Sequence, residues 1–332
     1  MPHTKEEYLE AKIQPYDPET VNSVEDALIA LQTCSFQGRN LGIGLEIWSQ
    51  MVAEGSDCLK VLTFSGAMIP AGMGEAVCCA IERGLVDAIV STGANITHDI
   101  INAILGPAHF IGSDEVNDDE LFSYRIDRIY DTYIPEDSFV EARKVESQML
   151  IDAFGSEEVI VPPSKVYYEL GKRLETRSMV AVAAQHNVPI FCGASSDSDF
   201  SLNLAEQRLR GNLKLVLDEI GDVINFSDLI RTKERHGTII VGGGVPRNWG
   251  QQVFPFLDQI KVEMPYFGYN YSVRMHTAVV YDGGLSGCTV SEGKTWGKYV
   301  KGAHHASIWC DATIAFPLLV TALVQRIKAG KL

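Results

Sequence analysis

The runs LKVLTF at residues 59–64 and DAIVS at residues 87–91 decide the fold of this chain. Between them lie a turn that contains Gly66 and Pro70 and a helical pattern over residues 73–82. Two apolar strands joined through a glycine turn and a helix are typical of a parallel sheet with crossover helices. Residues 59–91 therefore predict an α/β protein.

The same unit recurs towards the C-terminus. Strands are predicted at residues 189–193, 237–241 and 307–310, and each ends in small or polar residues, as the strand at 87–91 does in Thr92-Gly93-Ala94-Asn95. Ligands of open α/β sheets bind beyond the carboxyl ends of the strands. We therefore expect the functional site at these strand ends.

Helices are predicted from Ser23 to Cys34, near residues 41–53 and over residues 314–328. We expect one domain over residues 1–332, in which helices cover both faces of the sheet. The N-terminal helices precede the sheet, and residues 1–20 form an extension. The acidic segment over residues 112–137 is interpreted as an irregular surface excursion without a catalytic part.

The composition narrows the range of partners. The chain has 332 residues, 46% of them hydrophobic, and a net charge of -15 without any stripe rich in Lys or Arg. This charge argues against nucleic acid and against an anionic membrane as partners, and it fits a cationic ligand. The alternative is that an acidic surface only keeps the protein soluble.

The cysteines and histidines of the chain form no metal-binding pattern. The seven cysteines form no CxxC pair and indicate reduced thiols, and His304-His305 lacks the context of a zinc site, so no metal is expected.

The apolar segments of the chain bear on its location. Residues 1–16 contain no apolar signal segment, and the apolar stretch over residues 314–324 is too short to span a bilayer. These features predict a cytoplasmic protein.

The turn Gly242-Gly243-Gly244 follows one of the predicted strands. Glycines let the backbone approach a ligand closely, so the turn suits a pyrophosphate. It is not a GxGxxG motif, and glycine runs also serve tight packing. The acidic Asp311, at another strand end, is a candidate for ribose hydroxyls or, alternatively, for the cap of the helix that follows.

The segment over residues 281–298 concentrates glycines, carboxylates, a tryptophan and a lysine. A lysine must be neutral to attack a carbon atom, and burial beside an apolar wall such as Trp296 lowers its pKa. Glu292 and Asp282 are candidates to hold the ammonium groups of a cationic substrate. The alternative, that Lys298 is a solvated loop residue and Trp296 a core anchor, stays open at this point.

The chain resembles the deoxyhypusine synthase family over about residues 14–330. The resemblance rests on the segments FQGRNLG (36–42), VDAIV (86–90), IDRI (126–129), GGGVP (242–246), TWGK (295–298) and DAT (311–313), together with the turn at 65–72 and the sequences near Thr277, Asp282, Glu292 and Phe316. It implies a Rossmann-like NAD-binding fold and tetramers built from dimers, with the active site at the dimer interface.

The resemblance also implies an activity. NAD oxidises a polyamine such as spermidine, the aminobutyl group passes to Lys298 as an imine, and an acceptor amine takes it. The residues implied for substrate binding are Glu292, Trp296, Gly283 and Gly284, and Asp282 and Asn248 are further candidates. The residues implied for NAD binding are Gly66, Ala67, Thr92, Gly93, Ala94, Asp197, Gly243, Thr277, Ala278, Asp311 and Ala312.

The chain departs from the family at several amine-binding positions. Thr97-His98 stands where two glutamates are expected, Leu285 and the region of Leu202 stand where aspartates are expected, and Asn248 replaces a histidine. His98 is a candidate acid or base, or else a structural partner of Asp99, and Asp199 and Asp282 are candidates to replace the missing carboxylates. The acceptor stays open between a lysine of the hypusine-containing translation factor and a small diamine such as putrescine, and the departures favour the diamine. A non-catalytic NAD-binding homologue is the third hypothesis.

Overall fold

A computed structural model describes residues 4–332. Its helices are α1 Lys5–Tyr8, α2 Val24–Gln32, α3 Phe36–Ala53, α4 Gly74–Glu82, α5 Gly93–Leu105, α6 Asp118–Ser123, α7 Glu136–Phe154, α8 Pro163–Gly171, α9 Met179–Gln185, α10 Asp199–Arg210, α11 Glu219–Arg231, α12 Gly244–Gln259, α13 Val290–Thr295 and α14 Ala312–Lys328. Its strands are β1 Cys58–Phe64, β2 Ala88–Ser91, β3 Phe110–Ile111, β4 Ile126–Ile129, β5 Thr132–Pro135, β6 Val159–Val161, β7 Ile190–Cys192, β8 Leu215–Leu217, β9 Arg235–Val241, β10 Tyr269–His276 and β11 Tyr299–Trp309. Of the predicted N-terminal extension, residues 1–3 lie outside the described residues.

Six strands form one sheet in the order β11-β10-β9-β1-β2-β7, and every neighbouring pair is parallel. In the central strand, Leu62 pairs with Ile89 of β2 and with Ile239 of β9. The predicted parallel α/β sheet is therefore confirmed.

The side chains of β1 alternate between the two faces of this sheet. Leu62 and Phe64 pack into the same apolar cluster as Trp48 of α3 and Phe316 of α14, whereas Val61 packs into a separate cluster with α12. Because successive strand residues point to opposite faces, a fully buried strand needs cover on both sides. The prediction of helices on both faces is confirmed.

The order of the strands reverses next to β1. From β1 the chain first builds β2 and β7 on one side, and it later adds β9, β10 and β11 on the other side. The carboxyl ends of all six parallel strands lie at one edge of the sheet. Such a reversal leaves a crevice at that edge, between β1 and β9.

The N-terminal helices pack closely through glycine. Ser23 caps α2 by accepting a hydrogen bond of 3.0 Å from the backbone N–H of Asp26, as the sequence predicts. Helix α3 begins at Phe36, five residues before the predicted start. A Cβ atom at Gly42 would lie 2.4 Å from the carbonyl oxygen of Leu28, so the contact between α2 and α3 requires glycine at this position.

The sequence analysis missed one strand of the sheet, placed the start of another too late, and misread one segment as irregular. Strand β10 was missed because polar Asn270 and buried Arg274 interrupt its apolar pattern, and β11 starts eight residues before its predicted start. The segment over residues 112–137 is not irregular. It forms α6, capped by Asn117, and the antiparallel hairpin of β4 and β5.

Among residues 4–332, no helix combines the length and the apolar character needed to cross a membrane. Within the same range, no three His, Cys, Asp or Glu side chains come together as a metal-binding group. All seven cysteines are free thiols.

Candidate active site

Three cavities lie along the carboxyl edge of the sheet and the adjoining face of α12. We call the first, of about 430 Å³, the glycine-turn cavity, because the turn over residues 242–244 lines it together with the ends of β1, β2 and β10. The predicted cofactor residues that line it are Gly66, Thr92, Gly93, Asp197, Gly243, Thr277 and Ala278. Six separate segments of the sequence therefore meet at one site.

The backbone of the turn explains its glycines. Gly242 and Gly244 have φ angles of +77° and +59°, which side chains disfavour. A Cβ atom at Gly243 would lie 3.1 Å from the carbonyl oxygen of Ser286, so a side chain would press on the loop above the turn. The hydroxyl of Ser65 donates a hydrogen bond to the carbonyl of Gly243 and joins the turn to the end of β1.

Three helices begin at this edge of the sheet: α5 at Gly93, α12 at Gly244 and α14 at Ala312. Helix N-termini present free N–H groups and a partial positive charge, which suit phosphate. Asp311 accepts a hydrogen bond of 2.8 Å from the N–H of Thr313 and so caps α14. The capping alternative for Asp311 is thus seen, and Asp311 is also among the residues that line a cavity.

The second cavity, called the outer cavity, has a volume of about 1220 Å³. It shares Ser65, Gly66, Gly242, His276 and Thr277 with the glycine-turn cavity, so the two spaces adjoin. Its lining includes the predicted cofactor residues Gly66, Ala67, Thr277, Asp311 and Ala312. Ala94 alone of the eleven predicted cofactor residues lines neither cavity, because it lies on the exposed side of α5.

The third cavity, of about 970 Å³, contains Lys298 and is called the lysine cavity. It adjoins the glycine-turn cavity through Gly244 and Val245, the first residues of α12. The predicted substrate residues in its lining are Asn248, Gly284, Glu292 and Trp296. Asp282 and Gly283 are exposed in the same loop and do not line it, and the carboxylate of Asp282 accepts from the N–H of Gly284.

Lys298 lies in the lysine cavity and is half-buried there. Its Nζ donates a hydrogen bond of 2.9 Å to Oδ1 of Asn248. Burial lowers the pKa of Lys298, and the positive charge of Arg247 lowers it further, against the opposing fields of Cys288 and Glu292. A lower pKa leaves more of the neutral amine, which is the nucleophilic form.

Trp296 is not a core anchor. Its side chain is 65% exposed at the rim of the lysine cavity, and Leu285, which lines the same cavity, is exposed to the same extent. The sequence left open whether Trp296 packs in the core or walls a site, and its position fits the second interpretation. An exposed tryptophan at a cavity rim is typical of a surface that another molecule covers.

Arg274 holds the loop that leads to Lys298, and it is a residue that the sequence analysis missed. The guanidinium is buried and donates to three backbone carbonyls: Gly242 in the glycine turn, and Ser286 and Cys288 in the loop. A single side chain from β10 therefore joins the glycine turn to the loop. Its position inside the missed strand hid it from pattern analysis.

His98 does not reach the lysine cavity. It is 8% exposed on α5, and its Nδ1 lies 2.9 Å from Nε2 of His109, a second residue that the sequence analysis missed. Burial lowers the pKa of His98 to about 4. Asp99, its suggested partner, instead accepts from the N–H groups of Met179 and Val180 at the start of α9.

Asp199 is already paired. Arg143 donates to both of its carboxylate oxygens, so the charge of Asp199 is satisfied inside the protein. Its suggested role as a replacement for a missing substrate carboxylate finds no support in this contact.

Residues 27–323 match the sequence model of the deoxyhypusine synthase family. The protein named "Probable deoxyhypusine synthase 2" from Methanosarcina mazei is 37% identical over 316 residues, which cover 93% of this chain and 89% of that protein. A relative with the same name from Archaeoglobus fulgidus is 37% identical over 294 residues, which cover 87% of this chain and 94% of the relative. A "Deoxyhypusine synthase-like protein" from Chlorobaculum parvum is 33% identical over 308 residues, with coverages of 90% and 86%.

The fold also matches a solved structure from Entamoeba histolytica that is assigned to deoxyhypusine synthase. The TM-score is 0.63 at 19% identity, and the match covers 93% of this chain and 96% of that chain. At this identity the likeness concerns the fold.

Proposed function

Because the chain belongs to the deoxyhypusine synthase family of transferases, we propose that it transfers an aminobutyl group from a polyamine such as spermidine, through an imine on Lys298 and with NAD as cofactor. The observation that carries the proposal is the place of Lys298: half-buried, beside Arg247, in a cavity that adjoins the glycine-turn cavity.

The strand-end crevice fits NAD. The glycine-turn and outer cavities adjoin, as the two halves of a dinucleotide require, and the turn between β9 and α12 offers a cradle that a Cβ atom would fill. The N-termini of α5, α12 and α14 suit the pyrophosphate, and Asp197 and Asp311 offer carboxylates for ribose hydroxyls. When bound, NAD supplies the hydride acceptor that turns a substrate amine into an imine, and later the hydride donor.

Lys298 performs the transfer itself. Its neutral amine attacks the carbon of the substrate imine, and the departing amine leaves the aminobutyl group on Nζ as a new imine. Asn248 holds Nζ in place because its Oδ1 accepts a hydrogen bond from Nζ, which both the charged and the neutral form of the amine can donate. An acceptor amine then attacks the same carbon and releases Lys298.

The assembly is part of the proposal. We infer a tetramer built from dimers, in which a second subunit covers the rim formed by Trp296 and Leu285, both exposed in the single chain. Exposed aromatic side chains of this kind are enriched in the centres of interfaces.

The experiment is borohydride trapping with NAD and spermidine, followed by mass spectrometry of the peptide that contains Lys298. We expect a reduced aminobutyl adduct on Lys298 that requires NAD. Lys298→Ala and Lys298→Arg should abolish the adduct, since an amine is absent in one variant and a guanidinium stays protonated in the other. Lys294→Arg, four residues earlier and exposed, is the matched control and should keep it.

The acceptor is tested in the same assay. Transfer of the aminobutyl group from Lys298 to putrescine would identify a small-diamine transferase, as the apolar Leu285 in the lining of the lysine cavity favours. Transfer to a lysine of the hypusine-containing translation factor would identify deoxyhypusine synthase proper. If NAD binds but no polyamine yields an adduct, the chain is a non-catalytic homologue and the proposal fails.

A further inference from the structure

Arg247 is a buried cation without an ionic partner in the described part of the chain. It lies in the first turn of α12, lines the lysine cavity and is 6% exposed. Its hydrogen bonds are long and go to neutral acceptors: 3.4 Å to Oε1 of Gln251 and 3.5 Å to the carbonyl oxygen of Ser286. Burial of a charge is costly unless it is paired or serves a purpose.

The positive charge of Arg247 is largely uncompensated by the negatively charged groups around it. Arg274, the other buried cation nearby, has only backbone carbonyls as partners, and burial together with the charge of Arg247 lowers its pKa to about 10. From α13 and the loop before it, only Glu292 and the thiol of Cys288 oppose this field at Lys298. Glu292 is exposed, so water screens its charge more than that of Arg247.

We propose that Arg247 is a positioning residue that disfavours the ammonium form of Lys298 and so keeps its amine ready to attack. The inference rests on the proposed role of Lys298 as the nucleophile. Two cations in one half-buried cavity repel each other, and the repulsion is relieved when one of them loses its proton. An arginine side chain keeps its proton in proteins, so Lys298 is the group that gives it up.

The neighbouring contact completes the arrangement. Asn248 follows Arg247 on α12 and is the hydrogen-bond partner of Lys298. A neutral amide oxygen orients the amine without favouring its charged form, whereas a carboxylate in the same place would favour that form. One turn of α12 therefore supplies both the field and the orientation.

The test is the proton affinity of Lys298 measured without substrate. The enzyme is acylated with trace isotopically labelled acetic anhydride across a pH series, and mass spectrometry gives the extent of reaction at Lys298, with Lys294 as the internal reference. In the unaltered protein, the midpoint for Lys298 is expected below the ordinary value of 10.5. A midpoint at or above that value would overturn the proposal.

The variants separate charge from shape. Arg247→Gln and Arg247→Met should both move the Lys298 midpoint upwards by roughly one pH unit. A shift of this size is of the order of the repulsion energy between two unit charges in a medium of intermediate dielectric. Arg247→Lys keeps the charge and should move the midpoint by less. Arg83→Gln, at an exposed position directly after α4, should leave it unchanged.

Each remaining outcome has a distinct meaning. An unchanged midpoint in both neutral variants, with melting temperatures that show folded protein, would refute the role of Arg247. If one neutral variant does not fold, the other still decides, and a midpoint of the unaltered protein at or above 10.5 would refute the role of Arg247 without any variant. Because acylation needs neither NAD nor polyamine, a missing imine adduct would refute the proposed function and leave this measurement intact.

Discussion

Lys298 and Asn248 lie 50 residues apart in the sequence and are joined by a hydrogen bond of 2.9 Å between Nζ and Oδ1. Lys298 immediately precedes the edge strand β11, and Asn248 lies near the start of α12. The bond therefore fixes the amine against the helix whose N-terminus borders the glycine-turn cavity.

Asn248→Asp should slow imine formation. The substitution places a carboxylate beside Nζ, which favours the ammonium form and raises the pKa of Lys298. Because less of the amine is then neutral at neutral pH, the trapping rate should fall about tenfold or more. The measurement is the rate of borohydride trapping across pH, whose profile should move to higher pH.

Asn248→Ala is the companion variant. It removes the hydrogen bond without adding a charge, so the rate should fall while its pH profile stays in place. An unchanged profile in the aspartate variant would show that residue 248 does not act on the proton affinity of Lys298.

Gly93→Ala should destabilise the protein by about 1–3 kcal/mol, since it overpacks a tight contact. The added Cβ atom would lie 2.4 Å from Cβ of Ser198, at the junction of α5 and α10. The measurement is urea unfolding. Gly74→Ala is the matched control at the first position of α4, where the nearest atom lies at 3.6 Å, and equal stabilities of the two variants would contradict the expectation.

His98→Asn should flatten the dependence of stability on pH. The pKa of His98 is about 4 in the folded chain and near 6.5 when unfolded, so the unfolded chain binds more protons between these values. The contribution of His98 to the free energy of unfolding is therefore fully present above pH 6.5. It is lost as the pH falls towards 4, by about 1.4 kcal/mol per pH unit for this one group. Unfolding experiments at pH 7, 6 and 5 measure the slope, which the variant should reduce.

The same variant tests the predicted catalytic role of His98. Loss of trapping on Lys298 in a folded His98→Asn protein would assign that role. Full trapping would leave His98 as the hydrogen-bond partner of His109.

Trp296→Ala should weaken subunit association. If a second subunit covers the rim of the lysine cavity, removing the indole should cost about 2 kcal/mol, or roughly thirtyfold in the association constant. Sedimentation velocity over a dilution series measures this change. Leu209→Ala, which alters a 90% exposed side chain on α10, should leave association as it is. If both variants associate like the unaltered protein, the rim is not part of an interface.

The sequence predicted the strands whose apolar pattern is continuous. Strand β1 differs from its predicted extent by one residue, and the ends of β1, β2, β7 and β9 were placed correctly beside one crevice. The sequence analysis missed β10 because Arg274 places a charged side chain in the interior. There the guanidinium donates hydrogen bonds to carbonyl oxygens and does not pack against apolar neighbours. Local patterns carry no sign of such a long-range requirement.

The sequence named residues of the candidate site but not the contacts between them. The positions named for NAD, with the exception of Ala94, do line two adjoining cavities. The neighbours of Lys298 and of His98 come from other elements, and only the packed chain brings Arg247 and His109 beside them. These contacts depend on how α12 and α5 pack on the sheet, and the hydrophobic periodicity of the sequence does not specify that packing.

The three carbonyls that Arg274 holds have a consequence for how this enzyme can diversify. The loop beside Lys298 is fixed through its main chain, from below, and the side chains of Asp282 and Leu285 stay exposed. Those side chains can change without breaking the contacts through which Arg274 holds the main chain of the loop. Different preferences for the proposed substrate amine can therefore evolve on this loop while the fold and Lys298 stay where they are.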